Sequence, residues 1–256
     1  MKTLGVIPAR YASTRFPGKP LAMIAGKSMI QRVYERASGA RSLDDLLVAT
    51  DDPRIEECVK SFGGKVRMTS ASCASGSDRV AEVAAKLDRF EIVVNIQGDE
   101  PLLEPENIDI AVELMLSTPQ ADITTLARPE CGQEHESGDP NKVKVVLAEN
   151  GRALYFSRSP IPYHTDSGRR ELEKAGAATP LLIHIGLYVY RSKVLQQLCR
   201  FPRAELEILE SLEQLRALNA GFSIFAARIE GDTSIGVDTE DDLARVERAL
   251  ALSGLE

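Results

Sequence analysis

Short apolar runs alternate with segments of helical periodicity along the first half of the chain. The clearest apolar runs cover residues 4–7, 46–49 and 92–96, and each has the length of a buried strand. Between them, apolar residues recur at helical spacing, as in residues 29–37 and 55–62. Strands that alternate with helices in this way predict an α/β fold, Rossmann-like, with a mainly parallel twisted sheet and helices on both faces.

The pattern changes near residue 128. Residues 143–147 and 153–157 flank an Asn-Gly turn and predict a β-hairpin. Residues 205–218 carry a stripe of leucines and predict one helix. The stretch 159–180 is polar and contains three prolines, which predicts a long mobile loop.

This change of pattern divides the chain into two parts. A strand and a closing helix are predicted at residues 222–227 and 239–250, and we expect both to return to the first sheet. The prediction is an α/β core made of residues 1–127 and 221–256, with a smaller β-rich region at residues 128–220.

Composition narrows the class of protein. The chain has 256 residues, of which 43% are hydrophobic, and a formal net charge of −7. This acidity argues against a nucleic-acid partner or attachment to an anionic membrane. The apolar runs are shorter than the roughly 20 residues of a membrane-spanning helix. The four cysteines are scattered and three histidines are present, so we expect a cytoplasmic protein with reduced thiols and no zinc site made by protein ligands alone.

The densest positive charge lies in residues 8–20, PARYASTRFPGKP. Arg10, Arg15 and Lys19 follow the first predicted strand and are interspersed with hydroxyl side chains such as Ser13. Loops of this composition at the end of a strand commonly hold phosphate groups. We therefore predict a nucleoside triphosphate site here, although a solvated surface loop is the simpler alternative for a basic loop taken alone.

Two aspartates occupy similar positions in the predicted fold. Asp99 follows the strand at 92–96, and Asp238 lies between a strand and the closing helix. Mg²⁺ prefers one or two protein carboxylates together with phosphate oxygens. Each aspartate alone fits a turn or a helix cap, but the pair beside a triphosphate loop predicts a magnesium site for nucleotidyl transfer.

Other candidate residues are less specific. Thr50 and Asp51 end a predicted strand, at the sheet edge where α/β proteins bind ligands. Gly76 opens a helix whose amides could contact a base or ribose, or be simply capped. Arg158 ends a strand, where its guanidinium could bind a substrate carboxylate. His184 lies on an apolar strand and reads most simply as a core histidine.

Taken together, the motifs resemble a known family. The loop PARYASTRFPGKPL matches the signature of sugar nucleotidyltransferases. The chain as a whole is similar to the 3-deoxy-manno-octulosonate cytidylyltransferases, or CMP-Kdo synthetases, from Leu4 to about Val246. The further motifs that carry this similarity are NIQGDEP, KVKVV, ALYFSRSPIP, HIGLYVYR, LESLEQLR and GVDTEDDL.

The resemblance implies a reaction. CTP and the acid sugar Kdo would give CMP-Kdo and diphosphate for lipopolysaccharide biosynthesis, in a homodimer that requires Mg²⁺. The anomeric hydroxyl of Kdo would attack the α-phosphorus of CTP in line, while Lys19 and Arg15 stabilise the leaving diphosphate. The β-rich region would bind the sugar and form the dimer.

The resemblance also implies roles for individual residues. The positions that match the CTP site are Arg10, Ser13, Arg15, Lys19, Thr50, Asp51, Ser75, Gly76, Arg79 and Gln97. The positions that match the metal site are Asp99 and Asp238, and Asp99 joins Lys19 and Arg15 as a catalytic residue. The positions around the sugar acid are Arg158, His184, Tyr188, Glu210 and Gln214.

Four residues depart from the family pattern. They are Val189, Glu205, Glu240 and Ser77, of which the first two could reshape the sugar pocket and the last, where many relatives have threonine, is a mild change. A cytidylyltransferase for another acid sugar, such as 8-amino-Kdo or a nonulosonate, is therefore an alternative. A non-catalytic nucleotide-binding protein of the same fold would be expected to lack Lys19 or one of the two aspartates.

Overall fold

The computed structural model describes residues 1–12, 16–130, 138–176, 181–230 and 235–253. The strands are β1 (Thr3–Ala9), β2 (Met23–Ile24), β3 (Lys27–Ser28), β4 (Asp45–Thr50), β5 (Val66–Met68), β6 (Ile92–Asn95), β7 (Ile123–Pro129), β8 (Lys144–Leu147), β9 (Ala153–Ser157), β10 (Leu182–Arg191) and β11 (Ile224–Arg228). The helices are α1 (Met29–Ala37), α2 (Pro53–Ser61), α3 (Gly76–Ala85), α4 (Pro105–Ser117), α5 (Asp166–Lys174), α6 (Ser192–Leu198), α7 (Glu205–Glu210), α8 (Gln214–Asn219) and α9 (Glu240–Ser253).

Most of the strands form one sheet, while β2 and β3 form a separate hairpin. The sheet runs in the order β11-β7-β10-β6-β1-β4-β5. β1 pairs in parallel with β4 and β6, β4 with β5, and β7 with β11. β10 lies between β6 and β7 and is antiparallel to both, so the strands on its two sides share one direction; β8 also pairs with one end of β10. The predicted Rossmann-like, mainly parallel α/β fold is confirmed, with β10 as a reversed strand in its centre.

Helices cover both faces of the sheet because both faces are apolar. Successive residues of a strand point to opposite sides. In β6, Val94 belongs to the core beneath α1, α2 and α4, whereas Val93 belongs to the core beneath α3, α6 and α8. Both valines are fully buried. This arrangement explains why the strands are uninterrupted apolar runs rather than alternating ones.

The carboxyl-terminal segment returns to the first half of the chain, as predicted. Val237 and Val246 pack in a cluster with Ile24. The Thr239 hydroxyl accepts a hydrogen bond of 3.3 Å from the Asp242 amide at the start of α9. Thr239 therefore caps this helix, and the segment before it is held against the loop that follows β1.

The prediction of a mobile loop over residues 159–180 was wrong for its centre. This stretch contains α5, whose first turn is capped by a 3.1 Å hydrogen bond from the Gly168 amide to the Thr165 hydroxyl. α5 has no buried residue. Because an exposed helix needs no apolar face, hydrophobic periodicity could not reveal it.

The single helix predicted over residues 205–218 is two short helices. α7 ends at Glu210, its C-cap Ser211 has left-handed backbone angles (φ 52°, ψ 45°), and α8 begins three residues after Ser211. Leu209 is 73% exposed, whereas Leu212 and Leu215 are buried. The leucine stripe therefore spans two helices with different surroundings, and its spacing concealed the break.

The predicted boundary at residue 128 does not coincide with a break in the sheet. β8, β9 and β10 all come from residues 128–220, and β10 lies between β6 and β7 at the sheet's centre. The assignment of this region to sugar binding and dimer formation stays a prediction. Among the helices of the described residues, none has the length and apolar character needed to cross a membrane.

Candidate active site

A cleft of about 610 Å³ lies at the carboxyl ends of β1 and β6. This is the edge at which open parallel sheets bind their ligands. The predicted nucleotide and metal residues that line it are Arg10, Lys19, Ser75, Gly76, Arg79, Gln97, Asp99 and Asp238. Ser13 and Arg15 lie outside the described residues, so their roles stay predictions.

Lys19 lies at the junction of three distant segments. Its Nζ donates hydrogen bonds of 2.7 Å to Asp99 Oδ2 and to the Val237 carbonyl, and it lies 3.3 Å from Asp238 Oδ1. Gly18, in a left-handed conformation (φ 73°), precedes the short 3-10 turn that begins at Lys19. The ammonium therefore holds both predicted metal-binding carboxylates around one point.

The backbone near Asp99 is tightly fitted. An added Cβ on Gly98 would lie 2.8 Å from the carbonyl oxygen of Pro8 in β1, which only a glycine can avoid. The Asp99 carbonyl accepts a 2.9 Å hydrogen bond from the Val237 amide. The end of β1, the turn after β6 and the segment before α9 are thus joined through backbone contacts.

The two aspartates fit a magnesium ion that is also bound by phosphate. Asp99 and Asp238 both direct a carboxylate oxygen toward Lys19 Nζ. Among the described residues, no group of three or more acidic, histidine or cysteine side chains could hold a metal by itself. Two carboxylates with the remaining ligands from a nucleotide and water is the arrangement that Mg²⁺ prefers.

Arg79 ties the end of β4 to α3. Its guanidinium is buried, lies 3.1 Å from Asp51 Oδ2 and donates a hydrogen bond to the Thr69 hydroxyl. Thr50 is fully buried and its carbonyl accepts from the Thr69 amide. Arg79 therefore lines the cleft with its charge paired to Asp51. Asp51 and Thr50 lie behind Arg79, one layer away from the cleft.

Ser75 is both a helix cap and a cleft residue. Its hydroxyl accepts from the Asp78 amide at 3.1 Å, and the Asp78 carboxylate accepts from the Ser75 amide at 3.0 Å, which is a capping box. Gly76, the first residue of α3, also lines the cleft. The capping alternative is thus confirmed for Ser75, and it leaves the start of α3 facing the nucleotide cleft.

A second cavity of about 360 Å³ adjoins the first. The two cavities share Gln97 and Asp99 as lining residues. His184, Tyr188 and Gln214, which were predicted to surround the sugar acid, line the second one. A nucleotide in the first cavity and a small molecule in the second would meet at the shared wall.

Arg158 and Glu210 are placed differently from the other predicted sugar residues. They do not line the described part of this cavity. The Arg158 guanidinium donates to the carbonyls of Glu210 (2.7 Å), Pro140 (2.8 Å) and Ser211 (3.3 Å). The Glu210 carboxylate accepts from the Ser157 hydroxyl at 2.6 Å and from the Arg158 amide at 2.9 Å. In the structure this pair anchors the end of β9 to the junction of α7 and α8.

His184 and Tyr188 present neutral rings to the second cavity. Burial lowers the pKa of His184 to about 3 and raises the pKa of Tyr188 well above its usual value. The Thr125 hydroxyl lies 2.9 Å from His184 Nε2 and 2.7 Å from the Leu187 carbonyl. Because that hydroxyl has one proton, which the carbonyl accepts, we infer that Nε2 carries the imidazole proton and that Nδ1 is the unprotonated nitrogen of the ring.

Lys144 was not predicted as a site residue, although it lies in the KVKVV motif. It is fully buried, and its Nζ donates to the carbonyls of Asp139 (3.0 Å), Lys142 (2.6 Å) and Arg158. Desolvation lowers the pKa of Lys144. Lys144 therefore holds the loop beside the second cavity in place. Its position between two valines of a predicted strand was the sequence signal that this charged side chain is buried and hydrogen-bonded.

Glu213 was also missed. It lines a small cavity of about 120 Å³ together with Gln97 and Tyr188. Burial raises the pKa of Glu213, and the Ser75 hydroxyl lies 3.4 Å from its carboxylate. The break after α7 places Glu213 here while its neighbour Ser211 lines the nucleotide cleft. The motif LESLEQLR contains Glu213, but the prediction of one continuous helix did not indicate that this side chain lines a cavity.

Comparison with known proteins agrees with this geometry. A family model described as cytidylyltransferase matches residues 4–228. The chain belongs to the cytidylyltransferase family. The resemblance to CMP-Kdo synthetases that the motifs indicated is confirmed by relatives with that activity in their names.

Two such relatives match nearly the whole chain. The 3-deoxy-manno-octulosonate cytidylyltransferase of Syntrophotalea carbinolica is 50% identical, over 98% of this chain and 99% of its own length. The enzyme of the same name from Bacteroides thetaiotaomicron is 48% identical, over 98% of both.

Solved structures agree with the fold. One described as CMP:2-keto-3-deoxy-manno-octonic acid synthetase complexed with CTP is 42% identical and has a TM-score of 0.90, covering 99% of this chain and 100% of its own. A cytidylyltransferase from Leptospira borgpetersenii is 20% identical, with a TM-score of 0.64 over 98% of this chain and 87% of its own, and shows the shared fold alone.

Proposed function

We propose that this protein transfers the cytidylyl group of CTP to Kdo, giving CMP-Kdo and diphosphate. The observation that carries the proposal is the pair of adjoining cavities that share Gln97 and Asp99. One cavity contains Arg10, Lys19 and the two aspartates, and the other contains polar and charged side chains that include His184, Tyr188 and Gln214. The 42% identical structure named for this synthesis and for its CTP complex supports the assignment of the first cavity to CTP.

Three residues of the cleft have distinct roles in the proposed reaction. Lys19 carries a positive charge at the point where Asp99 and Asp238 converge, so it can stabilise negative charge on the leaving diphosphate. Arg10 adds a second cation to the cleft. Gln97, on the wall between the cavities, is held by a 3.0 Å hydrogen bond to the Gly186 carbonyl, and it would orient the two substrates for in-line attack.

Proton removal from the sugar hydroxyl does not fall to His184. A pKa of about 3 makes the imidazole a weak base. We propose that Asp99 and Asp238 would hold a Mg²⁺ ion, which when bound would supply positive charge that lowers the pKa of this hydroxyl and offsets phosphate charge. The matching positions of the family and the converging carboxylates support this role.

The departures from the family pattern do not lie in the second cavity. Val189 is fully buried in the core under α1, α2 and α4. Glu205 is exposed at the start of α7 and does not line the described part of the cavity. Kdo is therefore preferred over 8-amino-Kdo or a nonulosonate as the substrate.

We also propose a cytoplasmic homodimer that supplies CMP-Kdo for lipopolysaccharide biosynthesis. α7 offers a surface for a second copy, because Ile208 and Leu209 are 54% and 73% exposed and large apolar side chains that stay exposed together often mark an interface. Light scattering in solution should give twice the mass of one chain. The mass of a single chain at micromolar concentration would refute the dimer.

The decisive assay is diphosphate release with CTP and Mg²⁺ across a panel of sugar acids. We expect turnover with Kdo well above that with 8-amino-Kdo or a sialic acid. Turnover with a sialic acid and none with Kdo would overturn the proposal.

The Asp99→Ala variant tests the metal site. It should lose at least about 100-fold in kcat, because a carboxylate that acts on the reacting phosphate is removed, while its circular dichroism and melting temperature stay close to wild type. Asp241→Ala, at an exposed position of α9, is the matched control and should retain full activity. Near-normal activity of the Asp99 variant would remove this residue from the metal site.

A further inference from the structure

The nucleotide cleft is lined by a cation that lies outside the predicted site residues. Arg203 lines this cleft at the start of α7, and Ser211 lines it at the end of the same helix. Arg10 and Lys19 line it from the loop after β1. The role argued here for Arg203 rests on the proposed function, in which this cleft binds CTP.

Much of the positive charge of the cleft is already balanced. In the described part of the chain, Lys19 contacts both predicted metal-binding aspartates, and Arg79 is paired with Asp51. The carboxylates of the two aspartates would also balance the charge of a Mg²⁺ ion that they hold. The negative charge of a triphosphate therefore needs further cations. Of the described basic residues that line the cleft, those left are Arg10 and Arg203.

The guanidinium of Arg203 is only weakly held. Its Nε lies 3.5 Å from Glu207 Oε1, and its side chain is 61% exposed. Glu207 has stronger partners, because Arg216 donates to its carboxylate at 2.7 and 2.9 Å and the Ala204 amide donates at 3.1 Å. An exposed ion pair as long as that of Arg203 contributes little. Arg203 can therefore leave Glu207 for a ligand without breaking the other contacts of that carboxylate.

The backbone beside Arg203 is fixed, in contrast to its side chain. Glu207 and Arg216 are 4% and 8% exposed, and their ion pair joins α7 to α8. Because Glu207 also accepts from the Ala204 amide, the residue that follows Arg203 is attached to this buried pair. A mobile guanidinium on a fixed backbone at the edge of a cleft is well placed to bind a ligand.

We propose that Arg203 binds the β- and γ-phosphates of CTP and then the diphosphate that leaves. A guanidinium presents parallel N–H donors that match two phosphate oxygens. Gln97 and Asp99, on the wall where the two substrates meet, line both cavities, whereas Arg203 does not line the described part of the second one. This position favours the phosphates that leave over the one that reacts. Arg203 thereby assists Lys19 in stabilising charge on the leaving group.

Equilibrium binding of CTP, CMP and inorganic diphosphate to the Arg203→Gln variant tests this role. With Mg²⁺ present, the Kd for CTP and for diphosphate should rise by about 5- to 10-fold, because an exposed charge-assisted contact is lost. The Kd for CMP should stay within about 2-fold of wild type, since CMP lacks the phosphates that leave.

Two further readouts separate a bound charge from a structural role. Arg203→Lys retains the charge and should recover most of the affinity for CTP. The difference between wild type and Arg203→Gln should shrink as the ionic strength rises, because salt screens an exposed contact. A difference that does not depend on salt, with no recovery in Arg203→Lys, would overturn the proposed contact.

Arg200→Gln is the matched control, since it makes the same change in net charge. Arg200 is exposed, lies three residues before Arg203 and does not line the described part of the cleft. This variant should bind all three ligands as wild type does. An equal loss in Arg200→Gln would show a general effect of net charge and would overturn the role of Arg203.

Two other results would contradict the assignment to the leaving phosphates. One is an unchanged Kd for CTP in Arg203→Gln, and the other is an equal loss for CMP and CTP, which would place Arg203 at the cytidine. Kdo takes no part in these measurements, so turnover with a different sugar acid would overturn the proposed substrate alone. Failure of wild type to bind CTP would overturn both the proposed function and the role of Arg203.

Discussion

Replacement of Gly98 by alanine would disturb the point at which the nucleotide loop and the metal-binding turn meet. The new Cβ would lie 2.8 Å from the carbonyl oxygen of Pro8, well inside van der Waals contact. This oxygen belongs to β1, which is paired on both sides, with β4 and with β6. The clash is between the Gly98 segment and the backbone of Pro8, and no flexible side chain can move aside to relieve it. Either β1 or the turn after β6 must therefore shift by about half an ångström.

The energetic cost follows from two opposing effects. Overpacking of a well-packed region costs about 1–3 kcal/mol. Replacement of glycine by alanine also restricts the unfolded chain, which offsets about 0.4–1 kcal/mol. We therefore expect Gly98→Ala to lower the free energy of unfolding by about 1–2 kcal/mol. The loss in kcat should be larger in proportion, up to about 100-fold, because the shift displaces Asp99 relative to Lys19.

Urea denaturation and steady-state kinetics with CTP and Kdo would measure the two effects. Gly138→Ala is the matched control, since an added Cβ there meets no atom of the described residues within 4 Å. This variant should retain wild-type stability and activity. If Gly98→Ala behaves like the control, the close approach of β1 and the turn after β6 does not position Asp99, and the reasoning fails.

Two further predictions concern residues that support the cavities. The Lys86 ammonium and the Ser70 amide lower the pKa of Glu82 to about 2, so its contribution to stability is complete above pH 4.5 and is lost as the pH falls toward 2. Since the side chain is 25% exposed, Glu82→Gln should lower the free energy of unfolding by about 1 kcal/mol at pH 7 and by only a small fraction of that at pH 2, where the carboxyl is half-protonated. Equal differences in urea titrations at the two pH values would contradict this. Lys144→Met should lower the free energy of unfolding by about 3–5 kcal/mol, because three carbonyls, including that of Arg158, lose their buried donor. A loss below about 1 kcal/mol would show that these carbonyls find other donors.

Much of the fold was predictable because β1, β4 and β6 carry their apolar pattern without interruption. Strands of this kind must be buried on both faces, which requires helices on both sides. The same reasoning places the residues after each strand at one edge of the sheet. It brought Lys19 and Asp99 to one cleft, and the structure confirms that they are in direct contact.

Other features of the fold could not be predicted from the hydrophobic pattern of the sequence. The direction of β10 is invisible in its sequence, because the apolar content of a strand is the same whichever way it runs. α6 was not predicted, since its seven residues are too few for a clear period. The engagement of Arg158 by three carbonyls depends on segments that are distant in sequence, so an arginine at the end of a strand was indistinguishable from a carboxylate-binding one.

The reversed strand β10 has a consequence for how the chain folds as it is made. β7 is synthesised more than fifty residues before β10 (Leu182–Arg191), yet β10 separates β7 from β6 in the finished sheet. Until β10 emerges from the ribosome, the edge of β6 is open and β7 is available to occupy it. A nascent chain in which β7 docks directly on β6 has no place for β10, and it must open that edge again before the wall of the second cavity can form.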